Sequence, residues 1–201
     1  MSYNDEYPLL KDKFNVFRSA TYDKVMEMFY KFKTGVVYIG GAWCKNCQAI
    51  ISILNRTAKK NKIRTILHYD PHFINVFKEE VDLRDCGDLE TKLNYYYLIE
   101  KLGFTSDTLV QDTLIPRLNV PAVIGIKNGI CIGIIHDEYL LEGECLHEED
   151  STEDCTEHYE QRLTELFQAV KEKEHKFLFH RKDTFNLTMK NYSRQREQKS
   201  F

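Results

Sequence analysis

Gly35-Val36-Val37-Tyr38-Ile39-Gly40-Gly41-Ala42-Trp43-Cys44-Lys45-Asn46-Cys47 is the stretch on which the fold turns. Its first five residues make an apolar run of the length and kind found in a buried strand. Gly40-Gly41 then gives the chain a tight exit. Residues 48 to 60 place Ile50, Ile51, Ile53 and Leu54 on one side, which predicts a helix. Two cysteines three positions apart therefore stand at a strand-to-helix junction. The first meets the exposed N–H groups and positive dipole end of a helix, which stabilise a thiolate. The second lies one turn on, close enough to close a disulfide. The competing reading of the pair is a metal knuckle or two inert thiols.

Outward from this point the pattern stays regular. Phe14-Asn15-Val16-Phe17 reads as a first strand, and Thr21 as the cap of a helix over 22–33 that uses Val25, Met26, Met28, Phe29 and Phe32. Ile63 to Tyr69 reads as the next strand, closed by Asp70-Pro71. A strand-helix-strand-helix-strand order predicts an α/β fold, a mixed sheet with helices on both faces. Residues 71–107 read as a helical insertion, with a helix from Asp88 as cap to Gly103 as stop. Its Tyr95-Tyr96-Tyr97 reads as packing, with an aromatic platform for a partner as the functional alternative. A short helix from Asp107 to Leu114 is expected next. Val123-Ile124-Gly125-Ile126 and Ile130 to Ile135, joined through Lys127-Asn128-Gly129, predict a hairpin, because Asn-Gly supplies the positive φ angles of a two-residue turn.

Residues 136–157 carry ten acidic residues and no Lys or Arg, the composition of a solvated loop. A last helix is expected over 153–174, with Tyr159, Leu163, Leu166, Phe167 and Val170 on one stripe. The domain thus spans 1–174. A basic tail covers 175–201, with a disordered end from Asn191, and its Phe177-Leu178-Phe179 is apolar.

Composition narrows the function classes. At 201 residues the chain can bury a substantial core, and a net charge of −3 with a pI near 6.2 gives no case for nucleic acid. No apolar run of membrane-spanning length occurs, and Met1 to Leu10 lacks the basic and apolar regions of a signal peptide, so a cytoplasmic location is expected. Six cysteines over this length fit a reducing compartment and one redox pair better than three structural bridges.

At Trp43-Cys44-Lys45-Asn46-Cys47 the chain resembles the thioredoxin superfamily. Asn119-Val120-Pro121-Ala122 is similar to the segment that carries the family's cis-proline, and the hairpin is similar to its terminal one. A cis X–Pro bond in a tight turn is physically reasonable there. The resemblance covers roughly residues 13–70 and 108–174. The early part also resembles small bacterial thioredoxin-like proteins of Gram-positive organisms, including those labelled bacteriocin transport accessory proteins.

The resemblance implies a thioredoxin-like fold and a thiol-disulfide oxidoreductase that reduces protein disulfides without a bound cofactor or metal. Cys44 would be the nucleophile and Cys47 the resolving thiol. Trp43, Val120 and Pro121 would meet the substrate, while Lys45 and Asn46, the latter where a proline is common, would tune the pair. Electrons would come from a thioredoxin-reductase-type donor or a small thiol. Oligomeric state is open, with apolar surface on the insertion and tail available for a homodimer. Three positions depart from the family pattern. Tyr38 stands where many members bury an acid, Ile66 where they place a lysine, and Asp137 where they bury a glycine. A phenol with an ordinary pKa of about 10 is a poor base. Slow or water-assisted resolution by Cys47 is therefore expected, with faster turnover for Tyr38→Asp. The alternative is a redox-sensing or non-catalytic interaction module.

Of the remaining candidates, Cys131 reads as a small core residue. Cys86 is open to use as a third redox thiol. Cys145, His147, Cys155 and His158 permit a zinc site or a disulfide, against a plain reading as exposed loop residues. His68 and His72 read as structural or solvent-facing.

Overall fold

The computed structural model describes residues 3–74, 80–82, 89–102, 109–110, 117–118, 120–136 and 153–172. In chain order these form α1 (Tyr3–Glu6), β1 (Phe17–Ser19), α2 (Tyr22–Tyr30), β2 (Gly35–Ile39), α3 (Lys45–Lys60), β3 (Ile66–Tyr69), β4 (His72–Ile74), β5 (Glu80–Asp82), α4 (Leu89–Leu102), β6 (Leu109–Val110), β7 (Arg117–Leu118), β8 (Ala122–Lys127), β9 (Ile130–Ile135) and α5 (Glu153–Lys171). Residues Met1–Val170 make a first compact unit.

A five-stranded sheet in the order β1-β3-β2-β8-β9 organises the first unit. β3 pairs in parallel with β1 and with β2, whereas β8 runs antiparallel to β2 and to β9. Parallel neighbours need crossovers, and α2 and α3 supply them. The arrangement is an α/β, thioredoxin-like fold.

The period-2 alternation of β2 divides the core. Val36 and Tyr38 join the cluster beneath α3 and α5, with Ile50, Ile51, Leu54, Leu163 and Phe167. Val37 and Ile39 join the cluster beneath α2 and α4, with Val25, Phe29, Tyr95, Leu98 and Leu102. The predicted stripe on α5 is buried in full at Tyr159, Leu163, Leu166, Phe167 and Val170. Each large aliphatic or aromatic side chain so buried contributes about 1.5–3 kcal/mol.

Local signals explain the boundaries. The Thr21 hydroxyl accepts the Lys24 amide at 3.4 Å and caps α2. Asn128 and Gly129, at φ of 48° and 73°, form the two-residue turn between β8 and β9. That turn docks under the end of α2, where the Gly129 amide donates to the Lys33 carbonyl at 3.0 Å and the Asn128 amide to the Thr34 hydroxyl at 3.0 Å.

Several expectations need correction. The first strand lies at Phe17–Ser19, not 14–17, because the upstream backbone is held by side chains instead. The Phe14 amide donates to Asp12 Oδ1, the Val16 amide to Asn55 Oδ1 and the Phe17 amide to Asn15 Oδ1. α2 ends at Tyr30, and Phe32 leaves the core with a left-handed φ of 51° and 75 % exposure. Position 109–110 is a short strand paired with Arg117–Leu118 rather than part of a helix. Thr105, Thr108, Val110 and Thr113 in that region are β-branched and lose rotamer freedom in a helix. The insertion holds the expected helix, but the antiparallel pair β4–β5 precedes it. Of its three tyrosines only Tyr95 packs inward, while Tyr96 and Tyr97 are exposed. Asp137 and the Phe177-Leu178-Phe179 segment lie outside the described residues.

Candidate redox site

The C-terminal end of β2 delivers the chain to the start of α3, and Cys44 is the N-cap of that helix. Its sulfur accepts the Cys47 amide at 3.3 Å, the position where a capping side chain satisfies an orphan N–H. The Cys44 thiol also lies 3.9 Å from the Val120 carbonyl, on the loop that leads into β8. The Val120–Pro121 peptide bond is cis. Cys44 is half-buried, Cys47 is fully buried, and both are free thiols.

The two sulfurs thus have different surroundings. Burial first, and then the hydrogen bond and charge of Cys44, push the Cys47 thiol far above its ordinary range. Cys47 holds its proton while Cys44, at the helix end, faces outward. The same division separates an attacking thiol from a resolving one.

Trp43 forms the rim. Its indole Nε1–H donates to Asp70 Oδ1 at 2.9 Å, and its ring stacks on His72 with centroids 3.7 Å apart and planes 6° from parallel. Asp70 Oδ1 also accepts the His72 backbone amide at 2.9 Å, so one carboxylate holds the Trp43 ring and the His72 backbone. Gly41 leaves the room for this, since a Cβ there would stand 2.0 Å from Trp43 Nε1. Trp43 remains 39 % exposed, enough to present an apolar plane beside Cys44. Lys45 is exposed and Asn46 half-buried at the first turn of α3.

Behind Cys47 lies an aromatic cluster. The register sets Tyr38 on β2 opposite His68 on β3, and their rings stack at 5.0 Å. Tyr3 and Tyr7 close the cluster from the N-terminal segment, Tyr3 stacking on Tyr7 at 5.0 Å and on Phe17 at 5.1 Å. His68 Nε2 lies 2.7 Å from the Gly40 carbonyl and 3.3 Å from the Tyr7 hydroxyl. A carbonyl only accepts, so Nε2 carries the proton. Burial lowers the His68 pKa and keeps the ring neutral, with the Gly40 carbonyl and the Asp70 charge opposing. Burial, then the charge of Cys47, raises Tyr38 well above the ordinary phenol value, and burial does the same for Tyr3 and Tyr7. Gln48 ties this wall to the site loop, its amide donating to the Glu6 carbonyl at 3.1 Å and to the Ala42 carbonyl at 2.9 Å.

The structure brings Trp43, Cys44, Cys47, Tyr38, Val120 and Pro121 to one end of the sheet. The sequence reading missed four participants. His68 and His72, expected to be structural or solvent-facing, both adjoin the site: one lines the wall behind Cys47 and the other stacks on Trp43. The usable signal was period 2 in Ile66-Leu67-His68-Tyr69, which puts His68 on the Ile66 side, toward the cysteines. Tyr3 and Tyr7, spaced by one helical turn, lie in the Met1 to Leu10 segment, from which the sequence reading drew no site residue. Cys131 is half-buried against the α2–α4 face, and burial raises its pKa. Cys86, Cys145 and His147 lie outside the described residues, as does the Cys155 side chain, and His158 is exposed. Among the described residues no group of three or more His, Cys, Asp or Glu is placed to hold a metal ion, and no helix is long and apolar enough to cross a membrane.

No protein-family model matches the chain, and no curated protein is similar to it. Among solved structures, thioredoxin O2 from Arabidopsis thaliana in its oxidised state is similar, at 17% identity over 61% of this chain and 83% of that one, with a TM-score of 0.34.

Proposed function

We propose that the chain is a thiol-disulfide oxidoreductase that reduces protein disulfides. The observation that carries this reading is the asymmetry of the pair: Cys44 caps α3 at the surface and Cys47 sits buried behind it. Cys44 attacks a substrate disulfide as a thiolate and forms a mixed disulfide, releasing the first substrate sulfur. Cys47 then displaces the second, leaving a Cys44–Cys47 disulfide. The Val120 carbonyl lies beside Cys44, in the loop whose cis bond leads into Pro121, and with Trp43 these residues would receive a substrate strand. Lys45 and Asn46, in the first turn, tune the pair. The reaction needs no bound cofactor. A small thiol or a thioredoxin-reductase-type protein returns the pair to the reduced state.

A trapping experiment tests this. With Cys47→Ser, Cys44 is expected to hold protein partners as mixed disulfides that a reductant releases. With Cys44→Ser, both trapping and disulfide exchange are expected to vanish. A Cys44→Ser chain that still exchanges disulfides breaks the reading. A second reading, an interaction module with redox sensing, draws on the exposed Leu89, Leu93, Tyr96 and Tyr97 of α4. It requires partner binding that Cys44→Ser leaves unchanged.

A further inference from the structure

Resolution requires Cys47 to lose its proton inside the core, where burial opposes a thiolate. Two phenol hydroxyls behind Cys47, those of Tyr3 and Tyr38, have no other hydrogen-bond partner, and Tyr38 is the more deeply buried. The Tyr38 side chain is fully buried, and its hydroxyl makes no hydrogen bond. A methyl group on Gly40 would stand 2.6 Å from Cys47 Sγ and 2.9 Å from Tyr38 Oη, so the two side chains meet over the bare Cα of Gly40. We propose that Tyr38 is a built-in hydrogen-bond donor to the Cys47 sulfur as that sulfur becomes a thiolate. This role rests on the disulfide-exchange reading above.

The chemistry of the two states favours it. A thiol sulfur is a weak acceptor, whereas a thiolate takes a charge-assisted hydrogen bond about twice as strong as a neutral one. The contact is therefore weak at rest and strong as charge develops, which lowers a barrier rather than the ground state. Burial keeps the Tyr38 hydroxyl protonated, so it acts as donor and not as base. Its direction is fixed. The ring stacks on His68 and lies 6.0 Å from the Phe17 ring, while His68 is held by the Gly40 carbonyl. The titratable groups around Cys47 are Tyr3, Glu6 and Tyr7 from the N-terminal segment, Cys44 from α3, and His68 and Asp70 from β3 and its end.

In the step itself the substrate is bonded to Cys44. The Cys47 proton passes to the departing substrate sulfur. The Cys47 electron pair forms the bond to Cys44 Sγ, and the bond from Cys44 to the substrate breaks with its pair on the substrate. The two cysteines lose two electrons in all, and the substrate disulfide gains them. Tyr38 keeps its proton throughout.

The test uses the full chain with Cys86, Cys131, Cys145 and Cys155 changed to Ser, mixed with an aromatic disulfide whose thiolate is coloured. Cys44 releases one equivalent and Cys47 the second, and rapid mixing separates them. For Tyr38→Phe the first release should be unchanged. The second should slow by about tenfold or more, and its pH midpoint should rise by about one unit. The melting temperature of the reduced protein should hold or rise, because the hydroxyl removed makes only a weak contact with the resting thiol. An unchanged second release overturns the proposal, as does equal slowing of both. A lower melting temperature does so too, since it would make the hydroxyl a structural partner. A parent chain that never releases the second equivalent overturns the exchange reading itself, and this role with it.

Discussion

On one face of the sheet Val37, Ile39, Ala122, Ile124 and Ile126 meet Val25, Met28, Phe29, Leu98 and Leu102. On the other, beneath the first turn of α3, Tyr38 and His68 meet Tyr3, Tyr7 and Cys47. Both faces bury tyrosines, Tyr69 and Tyr95 on the first and Tyr7 and Tyr38 on the second, but among the described residues the second alone adds an imidazole and a fully buried thiol. Burying a polar group without a full hydrogen-bond complement costs about 1–3 kcal/mol. The apolar face contributes stability, and the face behind Cys47 gives some of it up where the proposed exchange would raise a charge. The contrast teaches where to look for function. Two faces of equal depth differ in chemistry, and the less stable one adjoins the cysteines.

The largest expected effect falls on the apolar face. Leu98→Ala should lower unfolding free energy by about 2–5 kcal/mol, read by denaturant unfolding, with the exchange rate per folded molecule unchanged. Equal loss of exchange would erase the distinction between the faces.

Acid should act on the other face. The folded pKa of His68 is depressed, so the unfolded chain binds its proton first as pH falls. The stability that the neutral ring confers is full above the ordinary histidine value of about 6.5 and declines as pH drops from there toward the folded pKa. His68→Phe should flatten that decline in melting temperature against pH. An identical pH slope in wild type and variant would assign the acid sensitivity elsewhere. The smallest expected change is at a helix end. Thr21→Ala removes the cap of α2 and should lower stability by about 1 kcal/mol, with no effect on exchange.

The degree to which the site could be read in advance follows the same division. Cys44, Cys47, the hairpin and the α5 stripe depend on local spacing, and spacing is written in the chain. Tyr38 was visible as an oddity at its position, but its neighbours were not. His68 reaches it through the register between β2 and β3, and Tyr3 and Tyr7 through a fold-back held by Gln48 and by Ser52, whose hydroxyl donates to the Leu9 carbonyl. Such contacts join residues far apart in sequence, and no local period reports them. The first strand was misplaced for a related reason. Phe14 and Val16 have strand-like side chains, but Asp12, Asn15 and Asn55 claim their backbone amides or those beside them.

Trp43 is the single tryptophan of the chain, and it lies face to face with His72 at the mouth of the site. Its fluorescence is therefore a local signal with no background from another indole. Anything that parts the two rings, pulls Nε1 from Asp70 or places a disulfide beside the indole alters that emission. The molecule carries its own optical probe beside Cys44, and the binding and turnover that the proposed function calls for would register on the unlabelled protein.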